Sequence, residues 1–279
     1  MSHQKVAIVT GASSGIGMET ALALAARGYA VLPAARRAEK LARVAQRCRD
    51  AHPDARAEPV PTDVTSESDV NDLVAAAVEK FGRVDVMVNN AGAGQFARVH
   101  EIADADLRAL FDVNFFGVFY GCKAVAPVMI RRKTGHIFNV SSVIGKRGVP
   151  FHGAYCSTKF AVCGLTDSLR VEMKPYGVRV TLVCPGLTVS EFYNQPALSV
   201  RPTSRYAAED KRMPADIVAR KIAATVGKCR PELVFTRGGR FLTRLSALWP
   251  SAADRLMKAY HDDLARQMRP GSAADACSE

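Results

Sequence analysis

The sequence is poor in the features that build stapled, metal-centred or repetitive proteins. Its seven cysteines, Cys48, Cys122, Cys156, Cys163, Cys184, Cys229 and Cys277, form no CxxC pair and no cluster with histidine. That argues against a zinc site and against a disulfide framework, and with an odd cysteine count a reducing, cytoplasmic setting is expected. No uninterrupted apolar run reaches the roughly 18 residues of a membrane span, so no transmembrane helix is expected. The opening MSHQKVAIVTG has neither the charged start nor the long apolar stretch of a signal peptide. Internal repeats and low-complexity linkers are also missing. Acidic residues are in deficit, 27 against 38 Lys and Arg, for a net charge of +11. Such a surplus suits nucleic acid, an acidic membrane or a phosphate-bearing ligand. No nucleic-acid motif accompanies it, so no nucleic-acid partner is expected.

What is present is ordinary globular material, 48% hydrophobic and 23% charged over 279 residues. That length makes one large or two small α/β domains and buries a core without staples. KVAIVTG (5–11) is a short apolar, β-branched run ended by Gly11, the mark of a buried parallel strand. A helical pattern follows to Gly28, and then AVLPAARR (30–37) reads as strand and AEKLARVAQRCRDAH as helix. The rhythm repeats through AEPVPTDV, VDVMVNNAG, GHIFNVSS, VRVTLVCPG and PELVFTR as strands. Helical stretches separate them, and LRALFDVNFFGVFYGCKAVAPVMI is read as one long helix. Strand–helix alternation predicts a doubly wound parallel sheet of the Rossmann type covered on both faces, over residues 1–237. Residues 190–213 break the rhythm and read as a substrate loop. Residues 238–279 read as a helical C-terminal extension of this single domain, interrupted at Trp249-Pro250.

TGASSGIG joins the first strand to the first helix. Gly11, Gly15 and Gly17 permit a tight turn and close approach of a ligand to the backbone. The helix behind them offers unpaired N–H groups and a positive dipole end, suited to a pyrophosphate. The spacing is GxxxGxG rather than GxGxxG, and a plain loop of small residues between strand and helix would look similar. At the end of the second strand stand Ala35, Arg36 and Arg37, where NAD sites carry an acid. Without a carboxylate the ribose 2′-hydroxyl has no partner, whereas a guanidinium there pairs with a 2′-phosphate. These residues therefore favour NADP; the alternative is a pair of solvated arginines opening an exposed helix.

The glycine loop, the NNAG at 89–92, Asn114 in DVNFFG and Tyr155 and Lys159 in YCSTK together resemble the short-chain dehydrogenase/reductase family. The resemblance runs in order over about residues 5–190 and loosely to about 237. It implies a catalytic set of Asn114, Ser142, Tyr155 and Lys159, the serine lying 13 residues before the tyrosine. For the cofactor it implies Gly11, Ser13, Ser14, Gly15, Ile16 and Gly17 in the first loop, Arg36 and Arg37 at the 2′-position, and Asp63 and Val64 beside the adenine. It adds Asn90, Ala91 and Gly92 after the fourth strand, and Pro185, Gly186 and Thr188 toward the nicotinamide, with Tyr155 and Lys159 shared between both roles. Asn89 would steady the central strand, and Ser190 stands where the family often has threonine.

The chemistry of the pair is direct. A free phenol, with a pKa of about 10, is a poor base at neutral pH. A cation one helical turn away favours phenolate and lowers that value. Tyr155 then exchanges a proton with a carbonyl or alcohol oxygen, help worth about 10²–10⁴-fold. By the resemblance, Lys159 also holds the nicotinamide ribose, Ser142 orients the substrate oxygen, and Asn114 binds a water that links Lys159 to solvent. The hydride chemistry belongs to the cofactor.

Gln95, Phe96, Val143, Ile144, Phe151, His152, Leu187, Phe192 and Tyr193 are candidate pocket residues, mostly apolar, which suggests a hydrophobic carbonyl or alcohol. His152 is either a second acid or a solvated loop histidine. Residues 201–244 hold eleven Arg or Lys against four Asp or Glu, and Leu256, Tyr260 and Leu264 recur every four positions as one apolar stripe. Two roles are open for the tail: packing over the substrate loop or a partner subunit, which is favoured, and docking on an anionic membrane surface. A homodimer or homotetramer is expected. A non-catalytic NADP-binding regulator would be expected to lose Tyr155 or Lys159, and the chain keeps both.

Overall fold

The computed structural model describes residues 4–188 and 212–267. Seven parallel strands form one sheet: β1 (Val6–Thr10), β2 (Ala30–Ala35), β3 (Val60–Pro61), β4 (Val86–Asn89), β5 (Gly135–Val140), β6 (Val178–Cys184) and β7 (Glu232–Val234). Their order is β3-β2-β1-β4-β5-β6-β7. Strand side chains alternate between faces, and both faces are apolar. Ala7 and Val9 of β1 join a core with α1 (Gly15–Ala25), α2 (Ala38–Asp50) and α7 (Ala215–Thr225), through Leu24, Leu41 and Ile222. Val6 and Ile8 face the other way. They meet α3 (Glu67–Phe81), α5 (Gly117–Arg132) and α6 (Gly153–Met173), through Leu73, Val125 and Val162. The expected doubly wound architecture is therefore present, as a single domain.

Because β1 lies between β2 and β4, the chain leaves β1 toward one edge of the sheet and later returns beside it toward the other. The loops after β1 and β4 diverge there and open a crevice at the carboxyl ends of the strands. The crevice is pinned rather than loose. Thr10 Oγ1 accepts hydrogen bonds from the Asn90 and Ala91 N–H groups, at 3.0 and 3.1 Å. Asn90 Nδ2 donates back to the Thr10 carbonyl at 2.9 Å. Below it, Asn89 Nδ2 donates to Asn139 Oδ1 at 2.8 Å, and Asn139 Nδ2 to Thr166 Oγ1 at 3.0 Å, tying β4, β5 and α6 in the interior.

Three elements differ from the sequence expectation. The third strand is only Val60–Pro61, because it is an edge strand and Pro61 has no N–H to continue a ladder. The long helix is α4 (Asp104–Phe111) and α5 joined by a π-turn over Asp112–Phe116, with the Gly117 N–H reaching the Asp112 carbonyl. By length and composition alone the run Asp104–Arg132 could cross a membrane, its mean hydropathy reaching 1.5. In the fold its Val118, Cys122, Val125 and Met129 are spent on the sheet. The tail starts one residue early, as α8 (Arg237–Leu248) and α9 (Pro250–Gln267), with Trp249 at the break.

α9 folds back over the domain. Leu264 is buried against Phe96 and Phe151, His261 stacks on Phe151 with ring centroids 5.2 Å apart, and Arg147 pairs with Asp254. Phe151 holds φ 64°, a left-handed conformation unusual for a bulky residue. Such strain costs on the order of 1–3 kcal/mol, and the packing of both Phe96 and α9 on the ring offsets it.

Candidate active site

The crevice holds a cavity of about 650 Å³. At one end is the loop from β1 to α1. Gly11 has φ 64°, and a Cβ there would lie 2.7 Å from the Ala91 Cα. A Cβ on Gly17 would lie 2.4 Å from the Gly11 carbonyl oxygen, so neither position tolerates a side chain. Ser14, the N-cap of α1, makes no side-chain capping bond. The first N–H groups of α1 are therefore left for an anion, and the glycines clear the space for it. This cradle fits a dinucleotide pyrophosphate.

Next along the wall come Arg36 and Arg37, both exposed. Arg37 turns back to the glycine loop, its Nη2 donating to Ser13 Oγ at 2.8 Å and to Ser14 Oγ at 3.0 Å. Two hydroxyls and two guanidinium groups thus gather at one end of the cavity, with no carboxylate on β2. Asp63 also lines the wall, but its Oδ1 is engaged by the N–H and hydroxyl of Thr65, at 3.0 and 2.9 Å.

At the other end is a polar set that the sequence singles out for proton transfer. Tyr155 and Lys159 sit one turn apart near the start of α6, 8% and 3% exposed. Lys159 Nζ donates to the Val140 carbonyl at 3.0 Å and lies 5.7 Å from the Tyr155 ring centroid. Burial pushes the Lys159 ammonium down to about 8, with Cys163 and Cys184 pulling weakly the other way. At neutral pH it remains a cation, and in a desolvated place its field is little screened. Ser142 faces the same space from the end of β5. Its Oγ accepts the Ile144 N–H at 3.3 Å, which leaves the hydroxyl proton to be donated.

Of the residues expected from sequence, the cavity wall brings together Ser142, Tyr155 and Lys159 with Gly11, Ser13, Ser14, Gly15 and Ile16. It also takes in Arg36, Arg37, Asp63, Val64, Asn90, Ala91, Gly92, Pro185, Gly186 and Thr188. Two stand behind it. Gly17 serves the turn, as above. Asn114, on the π-turn, is fully buried. Its Oδ1 accepts the Ala93 N–H at 2.8 Å, and its Nδ2 donates to the Ala93 carbonyl at 2.9 Å and to Thr158 Oγ1 at 3.1 Å. Both amide protons are used, so the side chain locks the β4 loop to α6, and only an Oδ1 lone pair remains for a water. The π-turn is the kind of local widening that recurs at functional sites.

Among the apolar candidates, Val143, Ile144, His152 and Leu187 line the cavity, while Phe96 and Phe151 lie behind it under α9. His152 is not a solvated loop histidine. Its Nδ1 bonds the Pro150 carbonyl at 3.1 Å, its ring meets Phe96 edge-on, and burial holds its pKa below the usual range. Phe192, Tyr193 and Ser190 lie outside the described residues, as does most of the 190–213 loop. Sequence reasoning missed Val113, Val149 and Tyr260. Tyr260 was visible as part of a helical stripe, but a stripe does not say what it faces. Among the described residues no cluster of His, Cys, Asp or Glu could hold a metal.

A Rossmann-type sheet with a glycine cradle at one end of its crevice and, at the other, a buried Tyr–Lys pair beside a half-buried serine defines an oxidoreductase. Comparison with known proteins agrees. The short chain dehydrogenase family model matches residues 5–197, and the chain belongs to that family. It is 34% identical over 268 residues, 94% of this chain and 74% of the relative, to the uncharacterized oxidoreductase YxnA of Bacillus subtilis. It resembles the crystal structure of a metagenomic short-chain oxidoreductase in complex with NADP, at 33% identity and TM-score 0.70, covering 83% of this chain and 96% of that one. It also resembles a short-chain dehydrogenase/reductase from Burkholderia phymatum in complex with NAD, at 29% identity and TM-score 0.76, covering 96% of each chain.

Proposed function

We propose that this protein transfers a hydride between NADP(H) and the carbonyl or secondary alcohol of a small, predominantly apolar substrate. The observation that carries the reading is that Ser142, Tyr155 and Lys159 share one cavity with the glycine cradle and the Arg36–Arg37 corner. When bound, the nicotinamide supplies the hydride acceptor or donor. Ser142 donates to the substrate oxygen and fixes its position. Tyr155 delivers a proton to that oxygen in reduction, or removes one in oxidation. Lys159 keeps a positive charge near the phenol and so makes phenolate accessible. Asn114 holds α6 against the β4 loop, keeping Tyr155 and Lys159 in register with the crevice.

NADP is preferred over NAD because β2 ends in Ala35 and presents arginines instead of a carboxylate. A 2′-phosphate at this corner would meet Arg36 and Arg37 together with the hydroxyls that Arg37 already gathers. The apolar substrate follows from Val143, Ile144, Val149 and Leu187 around the reacting end. Assembly as a homodimer or homotetramer is supported by exposed Phe119 on α5 and Phe160 on α6.

The deciding experiment is a panel of carbonyls and alcohols with NADPH, NADH and their oxidised forms, followed at the nicotinamide absorbance. Turnover is expected with apolar carbonyls and preferentially with NADPH. Arg36→Ala and Arg37→Ala should raise KM for NADPH far more than for NADH; equal effects on both cofactors would refute the phosphate assignment.

A further inference from the structure

The C-terminal segment sends its apolar residues to two destinations. Those of α9 go mostly inward: Ala253 and Leu264 are buried and Tyr260 reaches the cavity, while Leu256, the third member of the expected stripe, stays exposed. Those of α8 do not. Not one residue of α8 is buried, and Phe241, Leu248 and the following Trp249 are 61%, 86% and 65% exposed. At about 100° per residue, Arg237, Arg240, Phe241, Arg244 and Leu248 fall within one outward arc of roughly 100°. All five are exposed. From Leu233 to Ala253 the sequence holds three arginines and no acid, so the arc is of one sign. Arg240 Nη2 donates to the Val234 carbonyl at 3.0 Å, a neutral partner that leaves its charge uncompensated.

The helix is nonetheless seated firmly. Thr236 caps its start by accepting the Gly239 N–H at 3.1 Å. A Cβ on Gly239 would lie 2.7 Å from Val143 Cγ1, so α8 presses on the turn that forms the cavity rim. Its outward face is thus a fixed surface of large apolar side chains flanked by arginines, beside the apolar end of the cavity at Val143.

We propose that α8 docks this protein on the surface of an anionic lipid bilayer. Phe241, Leu248 and Trp249 enter the boundary between headgroups and acyl chains, and Arg237, Arg240 and Arg244 meet the lipid phosphates. The composition is that of an interfacial amphipathic helix, basic on its polar positions and aromatic or leucine on the rest. A second copy of the chain is a poor occupant, because a two-fold contact sets the same patch against itself. The three arginines of each copy would then be crowded together, with no carboxylate on α8 to pair them. Docking does not depend on the hydride chemistry, although it would bring the cavity mouth close to a membrane-dissolved substrate.

The sole tryptophan of the chain, Trp249, reports on this directly. The full-length protein is mixed with vesicles of phosphatidylglycerol and phosphatidylcholine, and with phosphatidylcholine vesicles alone. Expected are a blue shift of Trp249 emission and co-flotation with the anionic vesicles, with affinity on the order of a hundredfold higher than for the zwitterionic ones. Phe241→Ser with Leu248→Ser should abolish flotation while turnover of a water-soluble substrate stays unchanged. Arg240→Glu with Arg244→Glu should do the same. Absence of both shift and flotation would overturn the proposal, as would equal binding to both vesicle types. Emission already blue-shifted in buffer, and moving red as the protein dissociates on dilution, would assign the patch to a second copy and also overturn it.

Discussion

Lys159 reaches past Tyr155 to the end of β5: its Nζ donates to the Val140 carbonyl at 3.0 Å while lying 5.7 Å from the Tyr155 ring centroid. The lysine is therefore anchored to the sheet rather than to its own helix. Its charge is delivered to one fixed place beside the phenol, at the point where the crevice ends.

Tyr155→Phe is expected to lower kcat by about 10²–10⁴-fold, the usual worth of a positioned proton donor. The ring stays, so its packing against Leu110 and Ala154 and the fold should be kept. Cofactor affinity, read by NADPH fluorescence titration, should change little. A variant that keeps wild-type turnover would remove Tyr155 from the chemistry.

Lys159 makes stability depend on pH in a defined window. Its folded value lies near 8, below the ordinary 10.5, so between these the unfolded chain binds more protons than the native one. The cost of burying the cation is then present below about pH 8 and relieved as pH rises toward 10.5, by up to about 3 kcal/mol. Denaturant unfolding of the cofactor-free protein from pH 7 to 10.5 should show Lys159→Met lacking this gain relative to wild type. Parallel curves for the two proteins would show that the lysine is not desolvated.

A second titration lies at the opposite end of β5. His136 is buried; its Nδ1 accepts the Gly227 N–H at 3.1 Å, so its Nε2 donates to Thr181 Oγ1 at 2.8 Å. Burial, and secondarily Arg179, push its pKa down to about 3. Native His136 stays neutral while the unfolded ring protonates below about 6.5, so stability falls as pH drops through that interval. The slope it contributes approaches about 1.4 kcal/mol per pH unit. His136→Gln should flatten the acid limb of ΔG against pH between pH 6 and 4 by that amount, whatever it does to stability at pH 7. An unchanged slope would assign the acid limb to other groups.

Tyr260 brings α9 into the cavity wall, so it should set the size of substrate accepted. Tyr260→Ala is expected to improve kcat/KM for bulky apolar carbonyls relative to small ones, on the order of tenfold. Leu264, which holds α9 on Phe96 and Phe151, is left in place by this substitution. A uniform loss across all substrate sizes would mean that Tyr260 only supports α9.

Much of this was legible in the sequence, because it depends on local pattern. The buried strands announce themselves as short β-branched runs, and the glycine loop, the bare end of β2 at Ala35 and the Tyr155–Lys159 spacing are set by near neighbours in the chain. Where the reading fell short, the cause was long-range. Nothing local distinguishes the π-turn around Asn114 from continuous helix, and the partners of the Asn114 amide, Ala93 and Thr158, lie far along the chain. The left-handed Phe151 likewise depends on a ring stacked on it from α9.

Local pattern by itself determined the parallel α/β class, the position of the glycine loop and the one-turn spacing of Tyr155 and Lys159, because helix and strand periodicities act over a few residues; the role expected of that pair came from the resemblance to the family. Only tertiary structure decided which face of each helix meets which partner. It turned Arg37 onto Ser13 and Ser14, sank Asn114 behind the wall, laid Tyr260 against the cavity and left the arginine-rich face of α8 bare. Those outcomes rest on contacts between segments distant in sequence, whose energies exist only once the chain has closed on itself.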